Sequence, residues 1–330
     1  MKVLDKKIDA LNLELTLEIA AADYAEIEKK RLSECRRKAD FKGFRKGMVP
    51  PSMIKRVYGE QCLAEAVNTV ISTELDKYIS ENKLHILGEP LSSENQPQVE
   101  WKDGNDFTFV FDIALSPEVK VEVAKSDEVP SYKITVAAKD KTEMIANLKK
   151  YYEEKKEEKS DEEIEKEVTE RLETQYRNEA EWRLSKDIKD YFIKKADVKL
   201  PEDFLKRWLV VANDGKVTKE DVEKDFPAFA EDFKWQLVRG FIMKENNFQI
   251  TDKDLHEAAE AFVSYQYAMY GVTDVPKDML EDAVVNIMND RKQLERISEQ
   301  VEERKVMEKI KGTITVKPTK ITAAKFRELK

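Results

Sequence analysis

From Ile164 to Phe192 one apolar residue returns at every fourth position: Ile164, Val168, Leu172, Tyr176, Ala180, Leu184, Ile188 and Phe192. Mostly charged side chains stand between them, so the pattern predicts a long helix with a narrow buried stripe and a solvated back. The chain after Ala138 reads helical throughout, with further helices opening at Pro201, Thr218, Thr251 and Pro276, each carrying acidic residues in its first turn. Composition agrees: of 330 residues, 38% are charged and 41% hydrophobic, with only nine glycines and ten prolines. That mixture favours long exposed helices over a loop-rich enzyme. The charge run Glu153–Glu167, "EEKKEEKSDEEIEKE", reads as a solvated helix or linker.

The first third of the chain follows a different pattern. Leu11, Leu13, Leu15, Leu17 and Ile19 alternate with polar residues, the period of a strand with one buried face. Asp23 with Glu26 reads as a capping pair opening a helix to about Ala39. The segment Gly43–Pro51 breaks that helix, and a second runs from Ser52 to Asn82 with Ile54, Tyr58, Cys62, Ala66, Val70 and Tyr78 on one face. At ~1.5 Å per residue its length is about 45 Å. Two more strands are expected at Leu84–Leu87 and Phe107–Leu115. The order βααββ implies an antiparallel sheet covered by two helices, an α+β domain over 1–117. Residues 118–137, with Pro130, read as an extended connector, and 138–330 as an all-α domain.

Charge is distributed unevenly. From Lys29 to Arg56 there are eleven Lys/Arg against Glu34 and Asp40, a local net of +9 in a chain whose formal net charge is −9, so that the remainder carries −18. An anionic partner at one end of the molecule explains such asymmetry. Several chemistries lack their residues. His85 and His256 stand 171 positions apart without neighbouring Cys or His, which leaves no metal spacing and no Cys–His nucleophile pair. No Walker-type or Rossmann glycine loop occurs, and no catalytic residue or cofactor is expected. The N-terminus alternates polar and apolar residues without a continuous apolar core, and no run is long enough to span a bilayer. Cys35 and Cys62 both fall in helix-like stretches and fit reduced thiols of a cytoplasmic protein better than a structural disulfide.

The segment Gly43-Phe44-Arg45-Lys46-Gly47-Met48-Val49-Pro50 resembles the signature loop of the trigger factor family, ribosome-associated bacterial chaperones. The flanks match too: a basic helix precedes it and Tyr58-Gly59 lies in the helix that follows. Family members usually carry lysine after the second glycine, where this chain has Met48. The resemblance extends to the helical C-terminal half and to the tail "VKPTKITAAKFREL". It implies a fold in which the α+β domain binds the ribosome and an elongated all-α domain is the chaperone. One departure concerns activity: the family typically carries a β-rich, FK506-binding-protein-like prolyl isomerase domain between connector and helical body. Here "KYYEEKKEEKSD", Lys150–Asp161, joins two helical stretches directly, so no isomerase activity is expected.

The resemblance assigns ribosome docking to Gly43, Phe44, Arg45, Lys46 and Gly47, with an exit-tunnel ribosomal protein and rRNA as partners. The physical reading agrees, because Lys and Arg pair with phosphates or carboxylates and the glycines permit a tight exposed turn. Unfolded or nascent polypeptides are the other expected partners, with a homodimer as a state off the ribosome and no membrane. Flexible thioethers and aromatics suit promiscuous contacts. Phe229, Met243, Tyr267, Met269, Met279 and Met288 are therefore the candidate substrate-binding residues; the competing reading is that they fill the cores of helix pairs. A stand-alone holdase and a ribosome- or RNA-binding protein without nascent-chain function are the alternatives. The basic segment lacks the interleaved aromatics of a nucleic-acid stacking platform.

Overall fold

The computed structural model describes residues 1–155, 158–272 and 274–329. Contacts divide these into two compact units: Met1–Glu118 with Lys199–Ala230, and Val119–Val198 with Glu231–Lys330. The division therefore differs from the chain-order reading of 1–117, 118–137 and 138–330. A 32-residue excursion from the helical half belongs with the α+β sheet, and the connector belongs with the helices.

The first unit opens with two strands, β1 (Lys2–Lys7) and β2 (Asn12–Ile19), followed by the helices α1 (Ala21–Lys38) and α2 (Pro51–Glu81). Strands β3 (Leu91–Ser92) and β4 (Phe107–Ala114) complete an antiparallel sheet of order β1-β2-β4-β3. Period-two alternation sends Leu13, Leu15, Leu17 and Ile19 to one face, beside Phe107, Phe111 and Ile113 of β4. Leu63, Ala66, Val67, Val70, Ile71 and Leu75 of α2 close over that face. The expected strand at Leu84–Leu87 is reduced to a single bridge, Ile86 to Leu115, while β1, which sequence patterning missed, adds an edge. The cap of α1 also differs from expectation. Ala20 is the N-cap, its backbone N–H donates to Asp23 at 2.8 Å, and Asp23 also takes the N-terminal ammonium at 2.9 Å. Glu26 instead pairs with Lys29.

Helix α5 (Glu202–Ala212) packs on the edge of this sheet. Arg207 donates to Asp112 of β4 at 2.7 Å and to the Ser92 carbonyl of β3 at 3.0 Å. Trp208 lies so close to Gly88 that a Cβ there would sit 2.7 Å from the indole nitrogen, and Gly88 adopts φ +71°. Only glycine meets both conditions. The first half of α6 (Lys219–Glu245) follows, with Lys206 of α5 bonded to Glu223 at 2.9 Å and stacked over Phe226.

The second unit is helical, as its patterning predicts, with one departure. The connector contains β5 (Glu128–Thr135), which pairs in parallel with β6 (Thr315–Thr322) near the end of the chain. Both strands are rich in Lys, Thr and Ser and each holds a proline, which a two-stranded ribbon tolerates because each strand has a free edge. Beside it stand α3 (Ala138–Lys155) and α4 (Asp161–Ala196). Ser160 caps α4 reciprocally, accepting from the Glu163 N–H at 3.3 Å while its own N–H donates to Glu163 at 2.9 Å. The four-residue stripe is buried at every position except the half-buried Ala180. A four-residue step advances about 40° past a full turn, so the stripe winds around α4 and meets different neighbours along its length. Ile164 to Tyr176 pack on Leu148 and Tyr152 of α3, with Ala323 of the short helix α10 (Ala323–Glu328).

Higher on α4, Glu303 of α9 (Arg291–Thr313) gathers Lys189 of α4 at 2.7 Å and, from α6, the Trp235 indole N–H at 2.6 Å. Helices α7 (Asp252–Met269) and α8 (Lys277–Asn289) complete a three-helix cluster with α9 around Ala259, Val263, Val284, Ile287 and Ile297. The expected helix starts at Pro201, Thr218, Thr251 and Pro276 are all observed within one residue.

Candidate functional site

The turn between α1 and α2 is built from two consecutive reversals. Phe44 N–H donates to the Phe41 carbonyl at 3.0 Å, and Met48 N–H to the Arg45 carbonyl at 2.9 Å. Gly43 and Gly47 are the third residue of each reversal, with φ of +90° and +81°, in the left-handed region that side chains rarely adopt. Beneath the turn, Ala39, Val49 and Ile54 form a small core of their own, flanked by Leu32, Cys35, Phe41 and Tyr58. Phe41 meets Tyr58 edge-on, and Arg36 donates to the Val49 carbonyl at 2.8 Å. The turn is thus a held shape that projects Phe44, Arg45, Lys46 and Met48 into solvent.

The local excess of positive charge is sorted along this hairpin. Lower down, Lys29 pairs with Glu26, Arg31 with Glu34 and Glu65, and Lys55 with Asp103. At the turn, no carboxylate among the described residues lies within 4 Å of Lys42, Arg45 or Lys46. Met53 and Val57, in the first two turns of α2, are exposed apolar residues as well. Two glycine-set reversals, unpaired cations and an exposed ring give this surface positive charge and an apolar point on one held shape.

The six apolar candidates are divided between the two units and differ in exposure. Phe229 belongs to the first unit, half-buried with its ring 6.0 Å from that of Phe226. Met243 is half-buried on α6 in the second unit. Tyr267, Met269, Met279 and Met288 share the α7–α8 pair, but Tyr267 and Met288 pack against its core. Met269, 71% exposed, and Met279 face solvent, together with Tyr265, Val285 and Tyr270, which is 87% exposed. Sequence reading missed Trp182. It is off the α4 stripe by two positions and 67% exposed, and that offset was the available signal. Trp182 borders a groove of about 810 Å³ lined also by Lys186, Trp235, Arg296, Arg304 and Met307.

The fold is a four-stranded antiparallel α+β unit carrying a basic helical hairpin, with a helical unit built on a long charged helix. Comparison with known proteins gives this class a family. The family description "Bacterial trigger factor protein (TF)" matches residues 1–148, and "Probable trigger factor, C-terminal domain" matches 180–330. This chain belongs to the trigger factor family. Among curated relatives, the trigger factor of Francisella tularensis subsp. novicida is 28% identical over 152 residues, 46% of this chain and 34% of the relative. That of Rhodopseudomonas palustris is 31% identical over 153 residues, covering 45% and 34%. This chain therefore matches about a third of the length of these relatives. A solved structure of the trigger factor chaperone, concerned with promiscuous substrate recognition in folding and assembly, superposes with a TM-score of 0.57 at 11% identity. The superposition covers 94% of this chain and 99% of that one, a likeness of fold. Among the described residues no helix is long and apolar enough to cross a membrane.

Proposed function

We propose that this chain is an ATP-independent, cytoplasmic chaperone that docks through the α1–α2 turn beside the ribosomal exit tunnel and shields hydrophobic nascent chains. The observation that carries the reading is the turn itself: Phe44 is exposed on a pre-shaped loop beside Lys42, Arg45 and Lys46, which have no carboxylate partner among the described residues. A cation left unpaired by its own protein keeps its full charge for rRNA phosphate or an acidic ribosomal side chain. Shielding is assigned to exposed Met269, Tyr270 and Met279 and to the groove bordered by Trp182, where flexible and aromatic side chains sit among charges that keep the surface soluble.

Replacing Phe44, Arg45 and Lys46 together by alanine removes two cations and the ring. A charge pair truncated at an interface costs ~2–5 kcal/mol when buried and less at a rim, so ribosome co-sedimentation falls at least tenfold, about 1.4 kcal/mol, with folding unchanged. Unchanged co-sedimentation rejects the docking assignment. We also propose that the chain has no prolyl isomerase activity. What supports this reading is that, of the residues between the two family matches, 149–155 belong to α3 and 161–179 to α4, with no strand among the described residues of that stretch. Uncatalysed X-Pro exchange takes tens to hundreds of seconds, so a proline-limited refolding reaction detects even weak catalysis. No acceleration is expected as protein concentration rises.

A further inference from the structure

The two cysteines, 27 positions apart in sequence, meet across the docking hairpin. Cys35 in the last turns of α1 and Cys62 in α2 are both free thiols, with their Sγ atoms 3.4 Å apart. Cys62 is fully buried, while Cys35 is part-exposed and flanks the small core of Ala39, Val49 and Ile54. A disulfide bond is about 2.05 Å long, so the sulfurs need to approach by a little over 1 Å. The sequence between them is the whole docking tip, residues 36–61.

We propose that Cys35 and Cys62 are a reversible dithiol–disulfide couple that, when oxidised, closes the hairpin covalently beneath its tip. The inference does not depend on what the tip binds. The two thiols have unequal roles. Burial, reinforced by the neighbouring Cys35, pushes the Cys62 thiol up to about 12, which makes it a poor first nucleophile. Cys35 has the solvent access, so its thiolate attacks one sulfur of a small-molecule disulfide and expels one thiolate, leaving a mixed disulfide on Cys35. Cys62 then gives up its proton and attacks the Cys35 sulfur, expelling the second small thiol. Two protein thiols are oxidised, and two electrons and two protons reduce one small disulfide to two thiols. A reductant reverses both steps.

The probe is glutathione disulfide in excess over the full-length native chain, followed by thiol alkylation after denaturation and by intact mass. The expected product is a monomer lighter by two hydrogens with neither thiol alkylated, restored by dithiothreitol. Trypsin cleaves at the exposed Lys42, Arg45 and Lys46; in the oxidised form the fragments on either side stay joined until reduced. Cys62→Ser stops at one glutathione on Cys35, and Cys35→Ser leaves Cys62 unmodified. Cys35→Ser keeps the test valid should serine at buried Cys62 prevent folding. Two alkylatable thiols after oxidation, glutathione retained on both cysteines, or a disulfide-linked dimer as the main product would each overturn the proposal.

Discussion

Two helical hairpins in this molecule expose apolar side chains at their ends, and they are built differently. The α1–α2 turn is closed by two backbone reversals, rests on its own core of Ala39, Val49 and Ile54, and mixes Phe44 and Met48 with unpaired cations. At the α7–α8 end, Tyr265, Met269, Tyr270 and Met279 are exposed beyond the last core residues, Val263 and Val284, so that thioethers and phenols make up most of the exposed apolar surface. The first fixes shape and charge together, which suits one partner of defined geometry. The second offers apolar area on adaptable thioether and aromatic side chains, which suits many partners.

The strongest way to break this contrast is to remove the support under the first turn. Ile54→Ala deletes a buried side chain from the small core and is expected to cost ~2–5 kcal/mol through cavity formation. Urea unfolding of the first unit measures the loss, and ribosome co-sedimentation should weaken with it although no exposed residue has changed. Full docking by a destabilised Ile54→Ala chain would show that the turn does not need its core.

Buried carboxylates sharpen the difference between the units. Glu28 of α1 is 5% exposed, its Oε1 accepts no hydrogen bond from the described residues, and burial together with nearby Asp103 raises its carboxyl above the ordinary range. An acid raised in the folded state favours folding below its unfolded value, and that advantage fades as pH climbs through the folded value. Asp127, in the second unit, is the opposite case. Burial alone would raise it, but Lys195 at 2.6 Å, the Ala124 N–H at 2.9 Å and the Tyr191 hydroxyl at 2.8 Å outweigh burial and lower it. Its stabilisation is present above the unfolded value, about 3.9, and disappears as pH falls through the folded value. Asp127→Asn should therefore cost ~1–3 kcal/mol near pH 7, and the cost should vanish in strong acid. Glu28→Gln should stabilise near pH 7 and lose that gain below about pH 4. Stability–pH curves of the two variants that run parallel would refute the opposite assignments.

The smallest effect on stability is expected at the α7–α8 end. Met269→Ser and Tyr270→Ser change solvent-facing side chains and should alter unfolding free energy by no more than about ±0.5 kcal/mol. Suppression of aggregation of an unfolded client should nevertheless fall. Tyr267→Ser is the internal contrast, since Tyr267 packs against the helix-pair core and should lose stability as well. Holdase loss that always accompanies a stability loss would make this end a core with exposed edges, not a binding surface.

Local signals carried most of the elements. Alternation marked β2 and β4, the four-residue stripe marked α4, and Pro or Thr before acidic residues marked four later helix starts. Each depends on neighbours a few positions away, which is the range that patterning reads. The same range explains the misses. β5 and β6 carry little apolar alternation and exist because residues 128–135 and 315–322 pair across the sequence. Arg207 and Trp208 sit in an ordinary amphipathic helix, and nothing local shows that they seat α5 against Asp112, Ser92 and Gly88.

The sequence by itself determined the basic turn, because glycine spacing and charge density are local and act at an exposed site. It also determined that long charged helices dominate the second half of the chain. Only the tertiary structure decided which cations at the hairpin are neutralised and which are left free, because ion pairing depends on where acids such as Asp103 and Glu65 arrive in space. It likewise decided that Tyr267 and Met288 face a core while Met269 and Met279 face solvent, and that Cys35 and Cys62 touch. Composition gives a side chain its chemistry, but burial and partners fix how much of that chemistry reaches the surface, and both come from packing between segments distant in sequence.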